Sequence, residues 1–228
     1  DGYFGYFEDH PTVSWAEGRT EKYSKDFSDV SPKINIAHKL NDDVLFYATY
    51  SSGFRPSGTN RLNKRARESG IVPATYDSDT LTNFEAGFKS TLADGKIVLN
   101  GNLHTMNWDD FQSTSYIYDL LTVAFVQNVG QATISGLELE SYFNLSDSFS
   151  ASLMLALTDP EFKEDIYDLQ GALSVPKGNQ LSYVPTQKFV MSMNKDFIIK
   201  NRDAYISYDH SYTGESYQSS ANVDTNPS

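Results

Sequence analysis

Pairs of carboxylates are the residues whose types and spacing come nearest to chemistry: Asp77 with Asp79, Asp109 with Asp110, and Glu138 with Glu140. Two neighbouring carboxylates can serve as acid and base only where burial separates their pKa values. The sequence gives no sign of such burial, and we expect all three pairs to be solvated, in loops or in a lumen. They therefore indicate no catalytic residue.

Histidine and cysteine offer no other chemistry. The four histidines stand too far apart for a His-x-x-x-His metal pair: His10, His38, His104 and His210. Cysteine is absent, which excludes disulfides, zinc–thiolate sites and cysteine nucleophiles. The sequence also lacks a Gly-x-Ser-x-Gly elbow, a phosphate-binding loop and a dinucleotide fingerprint. We expect a protein that is not an enzyme and that has no metal and no cofactor.

Charge and composition narrow the class of partner. The 228 residues carry 18 cationic and 30 acidic side chains, a net charge of −12, so a nucleic acid would be repelled. Aromatic residues make up 14% of the chain, which argues against disorder. The longest apolar run, 120–126, is far shorter than the roughly 18 residues of a spanning helix. Barrel strands alternate in polarity, so a β-type membrane protein stays possible.

The elements that would carry these residues alternate with a period of two, which indicates antiparallel strands. The alternating segments are 30–40, 44–51, 84–89, 97–104, 137–142, 150–157, 189–193 and 204–212. Short turns fall near residues 42, 94, 147 and 201, and longer polar connections lie at roughly 54–80, 113–126, 160–182 and 213 onward. Short turns at one end and long loops at the other are typical of an up-and-down outer-membrane barrel.

We therefore predict an all-β fold, an antiparallel up-and-down transmembrane β-barrel. About 8–9 of its strands would be present, with short periplasmic turns and long extracellular loops. The alternative is a soluble antiparallel sandwich. Sandwiches usually turn about every 8–12 residues at both ends, which does not match the one-sided pattern seen here.

One set of alternate positions in each strand should face lipid and the other a lumen. A Lys or Arg on the lipid face costs about 2–4 kcal/mol near the midplane, and Asp or Glu less. We therefore place these polar side chains in the lumen: Asn83, Glu85, Lys89, Glu138 and Glu140. A cross-strand lattice of ion pairs that holds the wall is the alternative role for the charges. For 44–51 neither set of positions is excluded from the lipid face.

Aromatic side chains gather toward the predicted outer strand ends. They are Trp108, Tyr116, Tyr118, Tyr208, Tyr212 and Tyr217. Such rings suit the girdle at a membrane interface. We expect this structural role ahead of ligand stacking.

Several segments together resemble the C-terminal barrel of TonB-dependent outer-membrane receptors. The most specific, 50–60, reads Tyr-Ser-Ser-Gly-Phe-Arg-Pro-Ser-Gly-Thr-Asn and is similar to the family's Tyr-x-x-Gly-Phe-Arg-Pro-Gly-Gly-x-Asn. Ser57 stands where the family usually has the first Gly of its pair. Further segments similar to family patterns are 31–33, 83–89, 109–112, 128–140 and 180–185. The resemblance covers about residues 30–217.

The resemblance implies a location and a set of partners. Residues 1–228 would be part of a receptor barrel in the bacterial outer membrane, in contact with its lipid, without the plug domain and the remaining strands. The chain starts without Met and ends in a turn-like sequence, and we expect it to be a piece of a longer protein. External loops would capture an iron–siderophore complex or a similar small ligand. The TonB complex would energise import through parts absent from this chain.

The candidate ligand contacts lie in the predicted outer loops: Arg55, Asn60, Arg61 and Tyr116. Arginine can pair bidentately with an anionic group, and iron–siderophore complexes often carry negative charge. Alternatively, Arg55 is a fixed hydrogen-bonding element at the base of its loop. The haem-receptor pattern is not matched because 54–56 lacks its Ala, and siderophore, cobalamin and sugar stay open as cargo. A passive porin-like channel and a soluble all-β binding or adhesion module are the competing functions.

Overall fold

The computed structural model describes residues 28, 30–117 and 123–222. His10 and Tyr118, which the sequence analysis considered, and both ends of the chain lie outside the described residues. The elements are β1 (Lys33–Lys39), β2 (Val44–Arg55), β3 (Gly58–Thr59), α1 (Lys64–Ser69), β4 (Thr75–Tyr76), β5 (Asp79–Leu92), β6 (Ile97–Asp109), β7 (Gln112–Ile117), β8 (Val123–Asn128), β9 (Ala132–Ser146), β10 (Phe149–Phe162), β11 (Ile166–Tyr167), β12 (Leu173–Val175), β13 (Gln187–Ile199) and β14 (Arg202–Thr213).

Eight long strands form one antiparallel sheet in the order β1-β2-β5-β6-β9-β10-β13-β14. Each strand therefore pairs with the next long strand along the chain, which is the predicted up-and-down topology. The four predicted short turns are confirmed and lie together at one end of the sheet. At two of them the chain turns through left-handed residues, Ala93, Asp94 and Gly95 in one and Lys200 and Asn201 in the other. Such residues give a tight hairpin the twist of its strands.

Three long connections lie at the other end: loop A (residues 56–78), loop B (110–131) and loop C (163–186). Each holds a small two-stranded sheet of its own, β3-β4, β7-β8 and β11-β12 respectively. Loop B is longer than the predicted 113–126, because β6 ends at Asp109 and the alternating strands β7 and β8 pair with each other outside the wall. The described residues contain no helix long and apolar enough to cross a bilayer.

The pairing register divides the main sheet into two chemically distinct faces. Across one row, Lys89 lies opposite Asn100, which lies opposite Glu140; two residues along, Asn102 lies opposite Glu138. Asn83 and Glu85 occupy the same set of alternate positions on β5. We call this side the polar face. The five polar residues that the sequence analysis placed together on one side of the sheet all lie on it.

The opposite side, the apolar face, carries large apolar side chains on every strand. Ala48 of β2 lies opposite Ile36 of β1 and Ala86 of β5, and Phe46 lies opposite Phe88. The register therefore decides the question left open for 44–51: the even-numbered residues belong to the apolar face, and Leu45, Tyr47 and Thr49 to the polar face.

The apolar face forms a band that starts at the short turns and ends before the loops. Along β5 the apolar positions end at Phe84 and are followed by Thr82 and Thr80; along β6 they end at Leu103, before Thr105. Phe84 is 50% exposed and Leu103 61% exposed, and no second sheet covers this face within the described residues. A soluble sandwich would bury these side chains against a second layer, so the structure contradicts that alternative.

Two glycines on the polar face admit a ring from the neighbouring strand. A Cβ built on Gly87 would lie 2.9 Å from the ring of Tyr47 and 2.5 Å from a backbone oxygen of Gly101. A Cβ on Gly136 would lie 2.6 Å from the ring of His104. Packing an aromatic ring over a cross-strand glycine replaces the contacts that the missing side chain cannot make. These glycines let the wall strands pair closely beneath large polar rings.

Candidate ligand-binding site and the loop base

The base of loop A is built around a buried carboxylate. Asp79, the first residue of β5, is 1% exposed and lies directly opposite Arg55, the last residue of β2. Its carboxylate accepts hydrogen bonds from the Arg55 backbone N–H at 3.2 Å and from Arg55 Nε at 2.9 Å. Arg55 Nη2 also donates to it and completes a bidentate ion pair. Charge-assisted pairs of this geometry are among the stronger hydrogen bonds in proteins.

Two further donors join Asp79 to β6 and to loop B. Trp108 Nε1 and the backbone N–H of Gln112 each donate to Asp79 Oδ2 at 3.0 Å. Asp79 lies beyond the end of the apolar band on β5. Burial alone would raise its pKa, but hydrogen bonds from Arg55 and from the Gln112 backbone outweigh burial and hold the pKa of Asp79 below its usual value. We call Arg55, Asp79, Trp108 and Gln112 the loop base.

The guanidinium of Arg55 is held on two more sides. Nη2 donates to the Gln112 carbonyl oxygen at 2.9 Å, and the group lies 4.7 Å from the Trp108 ring centroid and 5.6 Å from that of Phe111. These contacts are what a fixed element of the loop base, the alternative stated for Arg55, would make. The Arg55 side chain is still 46% exposed, and its Nη1 has no hydrogen bond in the described part of the chain.

The structure corrects the girdle assignment for Trp108. Trp108 occupies the polar-face positions of β6 and packs edge-on against Phe111, with ring centroids 4.6 Å apart. Tyr116 stands on the β7-β8 hairpin outside the wall, and Tyr217 follows β14. Tyr208 and Tyr212 do lie on the apolar face, opposite Met193 and Phe189. A ring's set of alternate positions, more than its closeness to a strand end, decides whether it can reach the membrane interface.

Asn60 binds backbone groups of two loops. Its Nδ2 donates to the carbonyl oxygens of Pro73 at 2.9 Å and Val126 at 2.8 Å, and its Oδ1 accepts from the Val126 N–H at 2.7 Å. The Asn60 amide therefore binds both the N–H and the carbonyl oxygen of Val126 in β8, as the backbone of a neighbouring strand would. The side-chain amide of this predicted ligand contact is thus occupied by backbone atoms of the chain itself.

Arg61 and Tyr116 lie outside the hydrogen-bond network that holds Arg55 and Asn60, and both are exposed, with Tyr116 at 55%. The structure thus places two of the four predicted ligand residues in the network of loops A and B and two on the surface of the loops. Residues 55–67, which include Arg55, Asn60 and Arg61, contain five Arg or Lys and no acid, in a chain whose net charge is −12. An anion would be attracted to this segment.

Sequence reasoning missed Gln112 and Asn128, and it treated Asp79 only as one of a solvated pair. Gln112 Nε2 donates to the carbonyl oxygens of Pro56 at 3.1 Å and Asp77 at 2.8 Å. The signal was present in the segments similar to family patterns, since Gln112 ends 109–112 and Asn128 starts 128–140. Spacing alone could not show that these residues meet loop A.

Two hollows lie along the sheet. One, of about 400 Å³, sits below the loop base, and its lining includes Ser51, Arg55, Asp79, Asn83 and Trp108. Asn83 Oδ1 is buried there and has no hydrogen-bond partner among the described residues. The other, of about 330 Å³, lies closer to the short turns, and its lining includes Tyr47, Lys89, Asn100, Asn102, Glu138 and Glu140.

In the described part of the wall below the loop base, the acids Glu85, Glu138 and Glu140 are held by hydrogen bonds and not by a lattice of ion pairs. The Tyr47 hydroxyl donates to Glu85 Oε1 at 2.6 Å. Asn102 donates to Glu138 at 3.0 Å, and Asn100 donates to Glu140 at 3.4 Å. Among the described residues, Glu85, Glu138 and Glu140 thus bind neutral donors from neighbouring strands. No group of three or more histidine and acidic side chains converges there as metal ligands.

Comparison with known proteins identifies the family. Residues 3–228 match the family model described as TonB dependent receptor-like, beta-barrel. The ferric yersiniabactin uptake receptor FyuA from Yersinia pestis superposes with a TM-score of 0.64 at 20% identity, over 83% of this chain and 26% of that one. The siderophore receptor PiuA from Acinetobacter baumannii gives 0.57 at 19% identity, over 79% and 26%.

A third solved structure, the FrpB iron transporter from Neisseria meningitidis, gives a TM-score of 0.55 at 17% identity, over 81% of this chain and 27% of that one. The present chain spans about a quarter of the length of these three proteins. The fold they share with it is the antiparallel barrel wall with short turns at one end. With its family model matched over nearly the whole sequence, the chain belongs to the TonB-dependent receptor β-barrel family.

Proposed function

We propose that the chain forms part of the wall and three outer loops of a receptor that imports a scarce nutrient across the bacterial outer membrane. Its cargo in this proposal is an iron–siderophore complex. The observation that carries the proposal is the division of the sheet into a continuous apolar face and a hydrogen-bonded polar face. The names of FyuA as a ferric yersiniabactin uptake receptor and of PiuA as a siderophore receptor support the cargo.

In this proposal the apolar face contacts lipid and the polar face lines the interior of a larger barrel. The apolar positions next to the short turns end before the loops, as an outer-membrane wall requires. Asn83, Glu85, Lys89, Glu138 and Glu140 would then contact the solvated interior or the domain that fills it. Energy coupling would come from the TonB complex through parts of the receptor outside this chain.

The external loops would supply the first contact with the ligand. Arg61 and Tyr116 offer exposed side chains, and the half-exposed guanidinium of Arg55 lines the hollow below the loop base. The cationic run of residues 55–67 favours an anionic iron chelate over a neutral or cationic one. Asn60 would contribute through loop position, since its amide atoms bind backbone groups.

The test is uptake by the complete receptor that contains this chain, placed in the outer membrane of a bacterium that lacks its own siderophore receptors. Radioactive iron is offered as a panel of ferric siderophores, with and without a protonophore. Saturable uptake that the protonophore abolishes supports the proposal. Uptake that does not saturate and persists with the protonophore indicates the passive channel instead. Uptake of cobalamin or a sugar, with none of any ferric siderophore, overturns the cargo.

A further inference from the structure

We infer that loops A and B form a single rigid body, fastened to the wall at Asp79, and that neither loop opens without the other. We call this body, the described residues 56–78, 110–117 and 123–131, the loop pair. The inference does not depend on the cargo or on energy coupling. It concerns which part of the outer surface can move when any ligand enters.

The first fastener is Asn60, which closes the free edge of the loop B hairpin. By bonding both the N–H and the carbonyl oxygen of Val126, it takes the place of a third strand beside β8. The same amide holds Pro73 on the returning arm of loop A. An unpaired strand edge is otherwise the part of a hairpin most open to water and to other chains. Losing Asn60 would leave backbone groups of both loops without partners.

The second fasteners are two more amides at the lower end of the loop pair. Asn128 Oδ1 accepts from the Asp77 N–H at 2.8 Å, and its Nδ2 donates to the carbonyl oxygens of Asp77 at 3.0 Å and Asp110 at 2.8 Å. Gln112 reaches the carbonyl oxygens of Pro56 and Asp77 in the same region. Both arms of loop A are therefore bonded to the two arms of loop B.

The third link is a small apolar core to which each loop gives two buried side chains. Ala66 and Val72 of loop A are 0% and 6% exposed, and Val123 and Phe125 of loop B are 6% and 3% exposed. Opening one loop alone would expose apolar surface of both and break the amide bonds at once. Groups that must break together open together, which makes the loop pair one cooperative unit.

Loop C contacts the loop pair through apolar side chains: Leu169 packs against the core of the loop pair, and Ile166 and Val175 cluster with Phe111 and Val129 of loop B. Its outer part, residues 170–174, is exposed, and Tyr167 and Leu173, which face each other across β11-β12, are 55% and 53% exposed. Its side-chain ties include bonds to the segment after β14, among them Asn179 to the Ser220 carbonyl oxygen at 3.1 Å. We therefore expect the exposed residues 170–174 of loop C to open before loop A separates from loop B.

Amide hydrogen exchange of the complete receptor in detergent tests this without any ligand. Three N–H groups report on the unit: those of Asp77 and Val126, bonded to Asn128 and Asn60 of the loop pair, and that of Gln112, bonded to Asp79 where the pair joins the wall. In the wild type, peptides that contain them should share one protection factor and one denaturant dependence. Residues 170–174 of loop C should exchange faster.

Of the three reporter N–H groups, only that of Val126 loses its own acceptor in Asn60→Ala. We nevertheless expect exchange to accelerate about tenfold or more at all three N–H groups, because the loop pair opens as one unit. Asn179→Ala is the matched control: it removes an amide tie from loop C and should leave the three sites unchanged. Acceleration confined to the Val126 peptide would show two separate loops and overturn the inference. If the Asn60→Ala receptor does not accumulate, the wild-type measurement alone tests the inference. Three different protection factors at Asp77, Gln112 and Val126 would also overturn it.

Discussion

The carboxylate of Asp79 and the guanidinium of Arg55 face each other across β2 and β5 and form a bidentate ion pair that is buried on the carboxylate side. The pair stands where two wall strands pass into loop A. Because Trp108 and Gln112 bind the same carboxylate, this pair also fixes the strand end and loop that follow. The loop base thus fixes the position of loops A and B relative to the strands of the wall.

Asp79→Asn should destabilise the loop base, because a neutral amide cannot pair with Arg55 and presents a hydrogen-bond donor where the carboxylate accepted. Breaking a buried pair costs about 3–5 kcal/mol, and we expect about 2 kcal/mol here because Arg55 is half-exposed. The measurement is urea unfolding of the complete receptor in detergent. Asp209→Asn, which alters an exposed acid bonded to Ser192, is the control and should behave as wild type. Equal midpoints for Asp79→Asn and wild type would show that the pair carries no stability.

The low pKa of Asp79 gives the loop base a pH dependence with a definite sign. Since this pKa is lower in the folded protein than its ordinary value of 3.8, its contribution to stability is complete above about pH 4. It is lost as the pH falls below that value toward the folded pKa. Exchange protection at Gln112 should therefore fall on acidification below about pH 4, and Asp79→Asn should remove that part of the change. A Gln112 N–H equally protected on both sides of pH 4 contradicts this assignment.

Gly87→Ala should disturb the wall, because the new Cβ would meet the Tyr47 ring and the Gly101 backbone at distances shorter than contact. Overpacking of this kind costs about 1–3 kcal/mol. The matched control is Gly53→Ala, since a Cβ at Gly53 meets nothing within 4 Å. Unfolding midpoints of the two variants, measured side by side, should separate them. A Gly87→Ala receptor as stable as Gly53→Ala would mean that the ring does not pack over this glycine.

Arg61→Ala should weaken the binding of an anionic ferric siderophore by about threefold to tenfold, as expected when one exposed charge contact is lost. The decrease should shrink at high salt, where charges are screened. Arg202, at the short-turn end of β14, supplies the control, and Arg202→Ala should leave affinity unchanged. Binding is measured with the complete receptor by fluorescence quenching. Unchanged affinity for Arg61→Ala removes this residue from the ligand site.

The sequence predicted the strands, the short turns and the two faces correctly, because period-two alternation is a local signal. It could not choose a face for 44–51, since both sets of positions there include large apolar side chains. Pairing with Ile36 and Phe88 on neighbouring strands made that choice. The assignment of Trp108 to the interfacial girdle was wrong for a related reason. It rested on the closeness of Trp108 to a strand end and did not consider that Trp108 occupies a polar-face position.

The network of the loops was beyond local reading. Asn60 and Val126 are 66 residues apart in sequence, and Arg55 and Gln112 are 57 apart. Amide side chains also bond backbone atoms of almost any residue, so their partners leave no mark in residue type. The resemblance to a receptor family singled out 50–60 and 109–112 as segments, and only the fold shows that they bind each other.

The central claim is that the apolar face meets lipid and the polar face lines a solvated interior. Spin labels on neighbouring residues of β10 test it directly in the complete receptor, at Leu153→Cys on the apolar face and Ser152→Cys on the polar face. The label at 153 should collide mainly with oxygen, which concentrates in lipid. The label at 152 should collide mainly with a water-soluble nickel chelate, or with neither reagent where a plug covers it. A label at 153 that favours the nickel chelate would contradict the account.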